Sequence, residues 1–149
     1  MLVCLSMAFA APVAAQDSQV PYWASLRVDE VNMRVGPSED YRIVWVYRRK
    51  QLPLRVVRRM EGWRLVEDPD GARGWMLARF LTRERGAIVT GEGLADMRAN
   101  PNAGARLLWR LAPGVSGKLG ECGAGWCRFD VGAKGGFVRE QRLWGAGAP

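Results

Sequence analysis

The sequence predicts an all-β protein built as two small β-barrels in tandem, packed against each other. Three observations predict this fold: an internal repeat at a shift of 64 residues, short apolar runs divided by turn signals within each copy, and a copy length of about 60 residues, the size of a small barrel.

The repeat is direct. Val31-Asn32-Met33-Arg34-Val35-Gly36-Pro37 matches Ala95-Asp96-Met97-Arg98-Ala99-Asn100-Pro101, and the same shift brings Ile43-Val44-Trp45 onto Leu107-Leu108-Trp109. After one-residue losses in the second copy, Gly62-Trp63 falls on Gly125-Trp126, Gly74-Trp75-Met76 on Gly136-Phe137-Val138, and Leu81 on Leu143. Gly36 becomes Asn100 just before proline. Asn is the residue that, after Gly, best tolerates a left-handed backbone, so a shared left-handed turn is expected there.

Within a copy the strands follow in order. Leu54-Arg55-Val56-Val57, Trp63-Arg64-Leu65-Val66 and Gly74-Trp75-Met76-Leu77 are strand-like, with turns at Glu61-Gly62 and Asp68-Pro69-Asp70-Gly71. Asp70-Gly71 between apolar runs is a hairpin signal. Each copy therefore offers about five strands.

A Met-Arg-x-Gly-Pro-like turn, an apolar strand, a Gly-Trp, a second Gly-Trp and a terminal Leu together resemble the bacterial SH3-like domain family. The resemblance covers residues 25 to 144 and implies two tandem SH3-like small β-barrels. Copy 2 departs from the pattern at Asn100 and Phe137. The expected boundaries are a signal peptide at 1–15, an N-terminal segment at 16–24, a first domain at 25–82, a linker at 83–87, a second domain at 88–144 and a tail at 145–149. A 60-residue barrel buries a low fraction of its surface. Because Ile43-Val44-Trp45-Val46-Tyr47 is apolar on both faces, Val44 and Val46 are expected to meet the second copy near Leu108.

Residues 1–15 are apolar and uncharged, and Val13-Ala14-Ala15 supplies small residues for cleavage after Ala15. The alternative is a buried apolar helix. No basic start precedes the run, which implies initiation upstream of Met1 or a clipped gene boundary. Cys4 lacks the small residues that precede a lipidated Cys. Beyond residue 15 no uncharged apolar run reaches the roughly 20 residues that a transmembrane helix needs. A periplasmic or secreted protein without a transmembrane anchor is expected.

Cys122 and Cys127 then remain, separated by Gly123-Ala124-Gly125-Trp126. In an oxidising compartment they read as a disulfide across a four-residue hairpin loop, with free thiols as the alternative. Redox chemistry of the thioredoxin type calls for two intervening residues and a helix N-terminus, and neither is present.

The chain has no histidine, which removes Cys-His and Ser-His nucleophiles, His-ligated zinc and imidazole acid-base catalysis. Its carboxylates lie in turn or charge-mixed contexts, without a glycosidase-like pair. Gly132-Ala133-Lys134-Gly135-Gly136 lacks the Ser or Thr of a phosphate loop and reads as a hairpin turn. A non-enzyme without cofactor or metal is the expectation.

Binding is the better-supported class. The formal net charge is +7, and a basic patch is expected from Arg48, Arg49, Lys50, Arg55, Arg58 and Arg59, which either solvate strand faces or attract an anionic polymer. Trp63 and Trp75 recur as Trp126 and Phe137, which favours core positions. Tyr41 does not recur, standing opposite Ala105, and the SH3-like resemblance places it beside a groove. The candidate ligand-binding set is therefore Arg34, Asp40, Tyr41, Trp45 and Trp63. The partners expected are a cell-wall glycan or peptide, or, alternatively, an envelope protein docked through the same grooves. Nucleic acid does not fit an export signal. The sequence does not set the oligomeric state.

Overall fold

The computed structural model describes residues 20–149. The expected signal peptide and cleavage point lie outside these residues. The first copy contains β1 (Tyr22–Leu26), β2 (Val31–Arg34), β3 (Ile43–Tyr47), β4 (Pro53–Met60), β5 (Trp63–Glu67), β6 (Arg73–Leu77) and β7 (Leu81–Thr82). The second contains β8 (Gly86–Val89), β9 (Ala95–Arg98), β10 (Leu107–Leu111), β11 (Ser116–Gly123), β12 (Trp126–Val131), β13 (Lys134–Arg139) and β14 (Leu143–Trp144). A short 3-10 turn precedes the last strand of each copy.

The two seven-stranded sheets have the same order, β3-β2-β6-β5-β4-β1-β7 and β10-β9-β13-β12-β11-β8-β14. All these strand pairs are antiparallel. Even the irregularities repeat: the β2–β3 register skips between Met33 and Arg34, and β9–β10 skips between Leu107 and Trp109. Each sheet curls around its own core, but β3 and β7, like β10 and β14, are not hydrogen-bonded to each other. The barrels are therefore open at one seam, with β3 and β10 as free edges. Five expected strands become seven because β1 and β7, with their counterparts, are short and frame the repeat ends.

The two sequence signatures of the repeat are one packing device. Met33 and Met97 are buried, each on the strand next to the free edge of its sheet. A Cβ on Gly74 would run into Met33 Cγ, and a Cβ on Gly136 would lie 2.6 Å from Met97 Cγ and 2.8 Å from the Arg98 carbonyl. The Met of Met-Arg thus fills the space that the Gly before Trp75 or Phe137 vacates.

Gly36 has a different reason from the one expected. Its φ is not positive, and a Cβ there would lie 2.7 Å from the Tyr41 ring. Glycine is present because Tyr41 packs on its Cα. In the second copy Ala105 replaces Tyr41, and Asn100 is accommodated.

The loop between β11 and β12 is two residues, Ala124 (φ 52°) and Gly125 (φ 82°), rather than four, which is the primed turn that matches strand twist. Cys122 and Cys127 are register partners, Cα–Cα 4.0 Å, and are joined as a disulfide. They occupy the register of the Arg59–Arg64 pair in the first copy. Replacing both cysteines by serine is expected to lower stability by about 2 kcal/mol. A denaturant melt checks it, and an unchanged midpoint contradicts it.

The inter-repeat seam also differs from expectation. Val44 packs on the first core, Val46 faces a cleft, and Ile43 and Trp45 point outward and exposed. Contact instead comes from the ends of the second copy: Ile88 belongs to the first core cluster and Trp144 packs against it. Trp144 meets Trp23 edge-on at 4.7 Å, Trp23 Nε1 donates to the Gly147 carbonyl (3.0 Å), and Arg85 donates to the Gly145 carbonyl. Strand β1 begins within the segment expected to precede the first domain, and β8 begins at Gly86, so only Arg83-Glu84-Arg85 connect the sheets. Ser25 Oγ donates to the Glu84 carbonyl at 2.8 Å and pins that connection.

Candidate functional site

A cleft of about 730 Å³ lies between the repeats. One wall is β3 and the turn after it, residues 45–49. The other is residues 88–91 with Pro113 and Gly114, while Leu52 and residues 68–70 complete the lining. Trp45 is 60% exposed, an unusual state for a tryptophan in a folded strand. Arg48 pairs with Glu30 at 3.0 Å, both exposed, and Arg49 reaches across the cleft to donate to the Gly114 carbonyl. The cleft thus offers an aromatic face, an apolar wall and cations at its rim.

Its floor holds a polar pair that sequence reasoning missed. The Tyr47 hydroxyl donates to Asp68 Oδ2 at 2.7 Å, and the Asp70 and Ala72 N–H groups donate to Asp68 Oδ1. Burial, then the Asp68 carboxylate, push the Tyr47 phenol far above its usual range, so it stays a donor. In the second copy Leu111 stands at the position of Tyr47, and Val131 takes the place of Asp68 at the end of β12. That joint polar-to-apolar exchange was the signal available in the sequence.

The structure divides the candidate ligand-binding set. Trp45 borders the inter-repeat cleft. Arg34 and Trp63 line a separate, smaller hollow with Glu39 and Arg79. Tyr41, half exposed, and Asp40 line neither. Arg34 Nη1 donates to the Glu39 and Tyr41 carbonyls, both at 2.8 Å, and Arg98 donates likewise to the Ala105 carbonyl at 2.9 Å. This shared role is loop stapling.

The basic set is divided too. Arg48 and Arg49 line the cleft, Lys50 sits in the following turn, and Arg55, Arg58 and Arg59 lie along β4. Arg55 is spent on Glu67, which Arg73 also meets at 2.6 Å. Hydrogen bonding from Arg73, then from Arg55, outweighs desolvation and holds the Glu67 carboxyl below its ordinary 4.5. Because the folded-state value is depressed, this contribution is complete above pH 4.5 and disappears as pH falls through the folded value. Glu67→Gln is expected to flatten that part of the acid-side stability profile, and a profile parallel to wild type contradicts the assignment.

The Cys122, Cys127 and Glu140 ligand atoms lie within 4.8 Å of one another, but both sulfurs are committed to the disulfide. No helix among the described residues is long and apolar enough to cross a membrane.

The family match agrees with this architecture. Residues 27–81 and 91–145 each match the family described as Bacterial SH3 domain. The chain is 22% identical over 151 aligned positions to "Putative N-acetylmuramoyl-L-alanine amidase YrvJ" of Bacillus subtilis (strain 168), covering 94% of this chain and 28% of that protein. It therefore spans little more than a quarter of that relative's length. Among solved structures, NlpC2 from Trichomonas vaginalis is similar at a TM-score of 0.38 and 12% identity, covering 86% of this chain and 49% of the other. An NlpC/P60 family protein from Bacillus cereus ATCC 10987 is similar at 0.37 and 13%, covering 83% and 56%. With these two matched stretches making up most of the sequence, the chain belongs to the bacterial SH3 domain family.

Proposed function

We propose that this chain is a non-catalytic, periplasmic or secreted module that holds peptidoglycan in the cleft between its repeats. The observation that carries the reading is the exposed Trp45 beside Arg48 and Arg49. An indole face stacks on sugar C–H surfaces or covers apolar peptide groups, and the arginines attract carboxylates. Family membership and the named relative, whose name concerns N-acetylmuramoyl-L-alanine, support a cell-wall ligand. The disulfide supports an oxidising compartment. A sequence without histidine supports holding over turnover.

Co-sedimentation with purified sacculi tests the reading. Retention is expected to weaken as salt rises. Trp45→Ala is expected to reduce it roughly tenfold, as loss of about 1.4 kcal/mol of stacking would. No retention at low salt overturns the reading and leaves an envelope protein as the partner to seek.

A further inference from the structure

Exposed residues around the third strand of each repeat have mostly diverged. Tyr41 has become Ala105, and Arg48-Arg49-Lys50 has become Ala112-Pro113-Gly114. One largely exposed stretch keeps its chemistry: Arg42-Ile43-Val44-Trp45 recurs as Arg106-Leu107-Leu108-Trp109, with only Val44 and Leu108 half-buried. Packing accounts for the retained Met33 and Met97, which are buried. It does not account for a tryptophan that is 60% exposed in one repeat and 44% exposed in the other.

The arginines have no internal task either. Arg42 and Arg106 are exposed, and among the described residues neither makes a side-chain hydrogen bond or ion pair. Their backbones are nonetheless fixed alike, the Arg42 carbonyl accepting from Val35 N–H (3.1 Å) and the Arg106 carbonyl from Ala99 N–H (2.9 Å). Both stretches lie on free edge strands with the same register skip. Each tryptophan also has further cationic neighbours: Arg48 and Arg49 share the Trp45 cleft, and Lys134 Nζ lies 4.0 Å from the Trp109 ring centroid.

We infer that these two edges are equivalent subsites that take one linear, carboxylate-bearing glycan at two points. A repeated site calls for a ligand with repeated chemistry. The indoles meet sugar-ring C–H faces, and the unpartnered arginines in a chain of net charge +7 meet acid groups spaced along the polymer. Trp23, Trp144 and Arg85 hold the repeats together, so the second contact forms at high effective concentration once the first is made. This inference rests on the cell-wall reading and adds to it a second subsite and a requirement for polymer.

The test uses Trp45→Ala, Trp109→Ala and the double variant in the full chain, with circular dichroism confirming the fold. Each is measured against intact sacculi and against a soluble disaccharide-peptide released by muramidase. Each single variant is expected to lose at least about tenfold in affinity for sacculi. For the short fragment, calorimetric stoichiometry is expected to fall from about two to about one in either single variant and to vanish in the double. Wild-type stoichiometry of one, with Trp109→Ala unaffected on sacculi, refutes the second subsite and leaves the cell-wall reading standing. No wild-type retention on sacculi refutes that reading itself. If either substitution instead converts a dimer to a monomer by analytical ultracentrifugation, the edges are a self-association surface and the inference is overturned.

Discussion

Trp144→Ala is expected to destabilise the protein by about 3 kcal/mol and to broaden or split its unfolding transition. Trp144 sits on the last strand of the second sheet, paired with Ile88, yet its side chain packs on the first core and edge-on against Trp23. Truncating a large buried aromatic costs about 3–5 kcal/mol, and the lower end applies because Trp144 is only half-buried. The loss falls on the contact between repeats and not inside either one. Two barrels that each bury a low fraction of their surface depend on that contact for joint unfolding. Differential scanning calorimetry distinguishes the outcomes: a van't Hoff enthalpy that falls below the calorimetric one supports coupling through Trp144. A sharp, unshifted transition means that the repeats are held together elsewhere.

The second large effect is expected at Gly74. Adding one methyl group there drives it into Met33 Cγ, with the Arg34 carbonyl 3.0 Å from the new carbon. Overpacking a close-packed core costs about 1–3 kcal/mol, and a clash that includes backbone belongs at the upper end. Gly136→Ala is the matched substitution in the second repeat, meeting Met97 Cγ and the Arg98 carbonyl. Both are expected to lower the urea midpoint. Met33→Ala in the Gly74→Ala background is expected to cost less than the sum of the two single changes, since the clash has gone. Strict additivity would show that Met and Gly do not share one space.

The repeat made both sheets legible in the sequence, because strand alternation and turn residues recur wherever the backbone path recurs. Met33, Met97, Gly74 and Gly136 could be aligned from sequence, although their contact could not. Side-chain contacts across a sheet were harder to read. Gly36 suggested a left-handed turn because a Gly-to-Asn exchange has that usual meaning, whereas the cause is the Tyr41 ring, lost together with it in the second repeat.

The seam between repeats was misplaced for a related reason. An apolar stretch on both faces of a strand reads as doubly buried, but Ile43 and Trp45 are exposed on a free edge. The real seam involves Ile88, in a strand placed by pairing with β11, and Trp144, beyond the region where alternation is informative. The candidate site was only partly legible: Trp45 borders the cleft, while Arg34 staples a loop. Tyr47, at the end of β3, and Asp68, in the turn after β5, come together through a turn geometry that no periodicity reports.

In the proposed role, tryptophans on the free edges of this double sheet hold a cell-wall glycan without changing it. Titrating the 15N-labelled full chain with the muramidase-released disaccharide-peptide and following the indole Nε1–H resonances tests that role. The Trp45 and Trp109 signals are expected to shift together, the buried Trp75 and Trp126 signals to stay in place, and the fragment to be recovered intact. Stationary Trp45 and Trp109 signals at saturating fragment, or a fragment returned cleaved, would contradict it.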